Sequence, residues 1–189
     1  RILSALDLLQ LENILKDTNI LLLSDEVYEH IIFDGEFHQS AVLYPALAER
    51  AFIVASFGKT FHNTGWKVGY CLAPKELMAE FRKIHQFNVF SVNHPTQEAL
   101  AEYLKTPVHY MDLSSFYQQK RDLFLSLIKD SRFEFTPSKG TYFQLLNFKN
   151  ITEEKDVDFA IRLTKEHKLA SIPISVFNEQ QLDTKVLRF

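Results

Sequence analysis

Apolar residues first recur at helical spacing, through Ile2, Leu6 and Leu9, which predicts a helix over 2–16. A short apolar run follows from Asn19 to Leu23 and ends in Ser24-Asp25-Glu26. Its length and polar exit read as a buried strand whose C-terminal end opens onto polar residues. Tyr44 to Arg50 reads as a short helix, and Ala51 to Ala55, bounded by Arg50 and Ser56, as a second strand. Strand, crossover and strand in this order predict a mostly parallel sheet. A third run, Trp66 to Ala73, is separated from the second only by Gly58 to Gly65, too short for a parallel crossover. That strand is therefore expected to run antiparallel, which makes the sheet mixed. Pro74 suits the start of a helix with Leu77, Phe81 and Ile84 on one stripe, and Pro95 opens another through Ala99, Leu100, Tyr103 and Leu104.

After Pro107 the pattern changes. Tyr110 to Ile128 reads as one long helix with Leu113, Phe116, Leu123 and Leu127 facing inward. Arg132 to Thr136 and Thr141 to Phe148 read as strands around a Pro137-Ser138-Lys139-Gly140 turn. Thr152 suits a helix start, with Phe159 and Leu163 continuing that helix, and Ala170–Val176 and Lys185–Phe189 read as short strands. The expected fold is α/β: a three-layer domain on a mixed, mostly parallel sheet over residues 1–109, then a smaller α+β domain over 110–189. Both ends fall inside predicted elements, so the chain is expected to be a portion of a longer polypeptide.

Composition narrows the function classes. Of 189 residues 46% are hydrophobic and 24% charged, as in an ordinary globular protein. The 24 acidic and 21 basic side chains give a formal charge of -3 without a clustered basic face, which argues against a nucleic-acid partner. No apolar run approaches the roughly 20 residues of a membrane helix. A single cysteine, Cys71, forms no internal disulfide and points to a reducing, cytoplasmic setting. The seven histidines lack ligand spacing, so no metal is expected.

Chemistry concentrates at the predicted strand ends, where open α/β sheets bind ligands. Asp25 ends the first strand, Ser56 ends the second, and Lys59 lies three residues beyond. A carboxylate, a hydroxyl and an amine suit a cofactor with a ring nitrogen, a phosphate and an aldehyde. Asp25 can pair with a protonated pyridine nitrogen, and Tyr28 can hydrogen-bond the oxygen on the same ring. Lys59 is the candidate nucleophile. Lys67 can join Ser56 at the phosphate, returned to the pocket by a turn at Gly65, and Arg188 offers a fork for a substrate carboxylate. Taken singly, all of these but Tyr28 are more often ordinary surface or core residues. Gly58-Lys59-Thr60 is not the end of a nucleotide P-loop, because Ile53 stands where that motif has a glycine.

Three segments in order carry a resemblance: Ser24-Asp25-Glu26-Val27-Tyr28-Glu29-His30, Ser56-Phe57-Gly58-Lys59-Thr60-Phe61 and Thr64-Gly65-Trp66-Lys67-Val68-Gly69-Tyr70. They resemble the class I/II aminotransferases of fold type I. With His85 to Phe90 and Pro95-Thr96-Gln97, they look most like methionine aminotransferases and kynurenine aminotransferase-like enzymes. The resemblance implies pyridoxal 5'-phosphate attached to Lys59, with Asp25 on the ring nitrogen and Tyr28 on the ring oxygen. It also implies Ser56 and Lys67 on the phosphate and Arg188 on the substrate carboxylate. Phe90 looks like an aromatic that reaches into the neighbouring subunit's site of a homodimer.

The chain departs from the family's pattern in two ways. Position 67 is lysine where many relatives have arginine, and the upstream asparagine, stacking aromatic and glycine-rich phosphate contacts lie outside 1–189. The expected activity moves an amino group from methionine, or a large neutral or aromatic amino acid, to a 2-oxo acid. A carbon–sulfur β-lyase on the same scaffold, the effector domain of a transcription regulator, and an inactive scaffold are the alternatives.

Overall fold

The structure, a computed structural model, describes residues 2–189. Ser4 starts helix α1 (Ala5–Leu15) with a capping box: its hydroxyl accepts from the Asp7 N–H, and the Asp7 carboxylate accepts from the Ser4 N–H. Arg50 closes the other end, donating from Nη1 to the Leu15 carbonyl at 2.8 Å and the Thr18 carbonyl at 2.9 Å. Strand β1 (Leu22–Asp25) begins three residues later than the apolar run suggested. A 3-10 turn (Ala41–Leu43) and helix α2 (Pro45–Ala48) then lead into β2 (Ala51–Ser56). Leu8, Leu15, Ala41, Leu47, Ala51 and Ile53 pack together as the core beneath these elements.

Strands β1 and β2 are parallel, with Leu22 opposite Ala51 and Asp25 opposite Val54. Helix α3 (Phe57–Thr60) and a 3-10 turn (Thr64–Trp66) connect β2 to β3 (Gly69–Leu72), which returns antiparallel with Ser56 opposite Gly69. The mixed sheet is thus present, and its three strands hold one pair of each sense. Helix α4 (Lys75–Asn88) starts at Pro74 as expected, and α5 (His94–Tyr103) buries Leu100. None of the residues of α4 is fully buried, so the stripe through Leu77, Phe81 and Ile84 is not a core face; Ile84 is exposed.

The expected long helix is broken into α6 (Val108–Met111) and α7 (Leu113–Ile128). Leu113 is buried, but Phe116, Leu123 and Leu127 are exposed and Leu125 is buried instead. The chain divides into two compact units at Ser115–Phe116, within the first turn of α7. In the second unit β4 (Leu145–Asn147), β5 (Ile172–Pro173) and β6 (Val186–Arg188) form an antiparallel sheet ordered β4-β6-β5. The expected hairpin across Pro137–Gly140 reduces to one bridge, Glu134 with Asn147.

Helix α8 (Asp156–His167) starts four residues after Thr152, whose hydroxyl is spent on the Glu154 N–H and carboxylate. Phe148, Phe159, Ala160, Leu163 and Leu187 form the core of this unit. Together the two units give an α/β fold followed by an α+β layer.

Candidate active site

Sheet register gathers the predicted site. Parallel pairing sets the C-terminal end of β1 beside that of β2, and the Glu26 N–H extends the ladder to the Val54 carbonyl at 2.8 Å. Antiparallel pairing brings the start of β3 to the same edge, where the Phe57 N–H donates to the Val68 carbonyl at 3.1 Å. Asp25, Ser56 and the segment around Lys67 therefore share one sheet edge, and Lys59 sits in the helical turn that leaves it.

Each side chain has a local reason for its place. Asp25 is exposed at the strand end, and its Oδ1 accepts from the Val27 N–H at 3.2 Å, which turns the chain into the segment carrying Tyr28. Tyr28 is half-buried, and its carbonyl accepts from the Ile31 N–H at 2.9 Å. Ser56 caps α3 by accepting from the Gly58 N–H at 3.1 Å and donates only a long bond, 3.4 Å, to the Val68 carbonyl. That hydroxyl proton is the part free to turn toward another acceptor. Lys59 is half-buried in α3.

Close backbone contacts fix the loop between Lys59 and Lys67. A Cβ on Gly58 would stand 2.9 Å from Thr64 Cα, and one on Gly69 would stand 2.4 Å from the Ala55 carbonyl oxygen. The Asn63 N–H at 3.0 Å and the Thr64 hydroxyl at 3.1 Å both donate to the Gly58 carbonyl. Gly65 does not make the return turn as expected. Lys67 does, in the left-handed region at φ 55°, after the 3-10 turn.

Two polar networks beside the site escaped sequence reasoning. Buried Glu26 accepts from the Ser24 hydroxyl at 2.9 Å, from His38 Nε2 at 2.8 Å and from the Ala41 N–H at 3.0 Å. Tyr70 on β3 donates its hydroxyl to Glu29, the residue after Tyr28. Burial raises the Tyr70 pKa further, together with the bond to Glu29 and the charges of Glu29 and Glu26, so the phenol stays protonated. A glutamate following a strand-end aspartate is the one sequence signal for either network; partners 12 and 41 residues away leave no periodicity.

The remaining two predicted residues lie on other segments of the chain. Phe90, just past α4 in the left-handed region at φ 65°, is 82% exposed. Arg188 lies on β6 in the second unit, with its guanidinium carbon 4.2 Å from the ring centre of Phe143 and 4.8 Å from that of Phe177. Its Nε is buried without a hydrogen-bond partner among the described residues. Neither aromatic partner was singled out in the sequence. The described residues contain no cluster able to hold a metal ion and no helix long and apolar enough to cross a membrane.

Residues 2–189 match the family Aminotransferase class I and II. The chain belongs to this family. Aminotransferase relatives include the methionine aminotransferase of Escherichia coli K12, 49% identical over 89% of this chain and 44% of its own length. A kynurenine–oxoglutarate transaminase from Dictyostelium discoideum is 34% identical over 90% of this chain and 44% of its own. Among solved aminotransferases, the Escherichia coli methionine aminotransferase YbdL superposes with a TM-score of 0.95 and 46% identity, covering 99% of this chain and 50% of that one. N-Succinyldiaminopimelate aminotransferase from Mycobacterium tuberculosis gives a TM-score of 0.93 at 30% identity, over 100% of this chain and 50% of that one. The chain spans about half the length of these relatives.

Class I and II aminotransferases work with pyridoxal phosphate, and the donor set at the sheet edge fits it. An exposed carboxylate at a strand end suits a ring nitrogen, a half-buried phenol suits the ring oxygen, and an amine one turn past β2 suits the aldehyde. A redirectable serine hydroxyl and an exposed lysine suit the phosphate.

Proposed function

We propose that the whole protein is a pyridoxal-phosphate-dependent aminotransferase taking methionine, or another large neutral or aromatic amino acid, as donor and a 2-oxo acid as acceptor. The observation that carries this reading is the sheet register that sets Asp25, Ser56 and the Lys67 segment at one edge with Lys59 just beyond. Likeness to the methionine and kynurenine aminotransferases supports the donor class.

When bound, the cofactor supplies an electron sink for the carbanion formed at the substrate's Cα. Lys59 would hold it through its side-chain amine and, as the free amine, would take the proton from the substrate's Cα. Asp25 keeps the ring nitrogen protonated by pairing with it. Tyr28 donates to the ring oxygen, and Ser56 and Lys67 anchor the phosphate. Arg188 takes the substrate carboxylate in its N–H fork. The reading includes a homodimer in which Phe90 reaches the neighbouring subunit's site, and a cytoplasmic setting consistent with the free thiol of Cys71.

The test uses the full-length protein. Its visible absorption should show cofactor attached to lysine, and Lys59→Ala should abolish that band while the far-ultraviolet circular dichroism stays native. With methionine and a 2-oxo acid, the matching 2-oxo acid of methionine should accumulate. A lysine-bound spectrum in the variant would overturn the assignment of Lys59, and a carbon–sulfur cleavage product in place of the 2-oxo acid would overturn transamination.

A further inference from the structure

Asp156 opens α8 and is 1% exposed. A buried carboxylate is costly unless its lone pairs are occupied. Those of Asp156 accept from the Ser175 N–H at 2.8 Å, the Ser175 hydroxyl at 2.7 Å and the Val157 N–H at 2.8 Å. Ser175 is itself buried and is the first residue of the 3-10 turn Ser175–Phe177. The third residue of that turn, Phe177, places its ring over the Arg188 guanidinium at 4.8 Å.

Phe177 is mostly exposed, so core packing does not hold its ring. The turn that carries it is anchored by the two bonds from Ser175 to Asp156. Arg188 depends on its aromatic neighbours in turn, because its buried Nε lacks a hydrogen-bond partner that could orient the side chain. A guanidinium covered by rings presents its N–H groups edge-on, the direction from which a planar carboxylate accepts two parallel bonds.

We infer that Asp156 is a positioning residue for carboxylate binding: through Ser175 it fixes Phe177 over Arg188 and so aims the guanidinium fork. This rests on the reading of Arg188 as the group that takes the substrate carboxylate. Asp156 touches no reacting atom. Its replacement by asparagine keeps the shape but turns one acceptor oxygen into an amide donor, which faces either the Ser175 N–H or the Ser175 hydroxyl and Val157 N–H.

The experiment uses the full-length, cofactor-loaded protein and 3-phenylpropionate, a carboxylate without an amine, with calorimetry for its dissociation constant. Phe177→Leu, Ser175→Ala and Asp156→Asn should each weaken its binding by about threefold to tenfold. Phe177→Tyr, which keeps the ring, should bind as wild type does. The KM for the amino donor should rise in parallel, while kcat changes by less than about twofold and the visible spectrum is unaltered. Binding of 3-phenylpropylamine, which lacks the carboxylate, should not respond.

A merely structural Asp156 would lower the melting temperature and leave these constants alone, and that outcome overturns the inference. If Asp156→Asn does not fold, the exposed Phe177→Leu and the hydroxyl deletion Ser175→Ala decide it. Arg188→Ala separates the two layers. Loss of 3-phenylpropionate binding there, with no effect of the other variants, sinks the positioning role alone; no loss there sinks the reading of Arg188 and the inference with it.

Discussion

Asp25 and Glu26 are adjacent carboxylates with opposite environments. Asp25 is exposed at the strand end, whereas Glu26 is buried among donors. Burial alone would raise the Glu26 pKa, but hydrogen bonds from His38, the Ala41 N–H, Ser40 and Ser24 outweigh it and bring the value down to about 2. Because the folded value lies below the ordinary 4.5, ionised Glu26 contributes its full stability above pH 4.5 and loses it as pH falls toward 2. Glu26→Gln is therefore expected to cost about 2–3 kcal/mol at neutral pH. It should also flatten the acid-side decline, as read from urea unfolding at a series of pH values. An unchanged slope below pH 4.5 would remove Glu26 as the cause. Gly69 is a second point of residue-scale control. A Cβ there would stand 2.4 Å from the Ala55 carbonyl oxygen, backbone that cannot yield without moving β2. Gly69→Ala should cost about 2 kcal/mol or more in urea unfolding.

Elements were legible where the local pattern had a single reading. The antiparallel turn of β3 followed from chain length alone, and Pro74 and Pro95 marked the starts of α4 and α5. Helix α7 was misphased because apolar residues occur on several of its faces, at positions 113, 116, 123, 124, 125, 127 and 128. Periodicity could not choose among them. Tertiary packing chose Leu113 and Leu125, and Arg121 is drawn in as well, donating to the Ser138 carbonyl at 2.6 Å. The expected strand over 141–148 was shortened at its start by the turn that Gln144 ties, although the Gln144 backbone still exchanges two hydrogen bonds with Phe189. The buried Gln144 side-chain amide receives the Ser138 N–H and donates to the Thr136 carbonyl, while Thr141 takes a left-handed φ of 64°. A side chain that binds backbone across a turn is invisible to hydrophobic alternation. The corrected phase of α7 predicts that Leu125→Ala costs about 3 kcal/mol in thermal unfolding, with Leu123→Ala below about 0.5. Equal effects at the two positions would restore the original phase.

At the scale of the whole molecule, the sheet-edge residues were readable because each ends or follows a strand, whereas the surroundings of Arg188 come from segments at 143, 177 and 188 that no spacing connects. Phe90 was readable only through resemblance. The chain shows it 82% exposed just past α4, with Phe87 88% exposed in the last turn of that helix. In the proposed homodimer each site would take Lys59 from one subunit and Phe90 from the other, and twofold symmetry makes that arrangement testable by mixing. Take full-length Lys59→Ala, which has no working amine, and full-length Phe90→Ala, which lacks the ring. In a hybrid dimer one site pairs the lysine of the Phe90→Ala subunit with the ring of the Lys59→Ala subunit, so both groups are intact. The other site lacks both. Equal mixing after reversible dissociation should thus restore up to about one quarter of wild-type activity above that of the parents, since half the dimers are hybrid and each has one complete site. A KM for the amino donor that matches wild type in the restored fraction would identify the recovered site as complete. If Phe90 served the site of its own subunit, every lysine-bearing site in the mixture would lack the ring, and mixing would restore nothing.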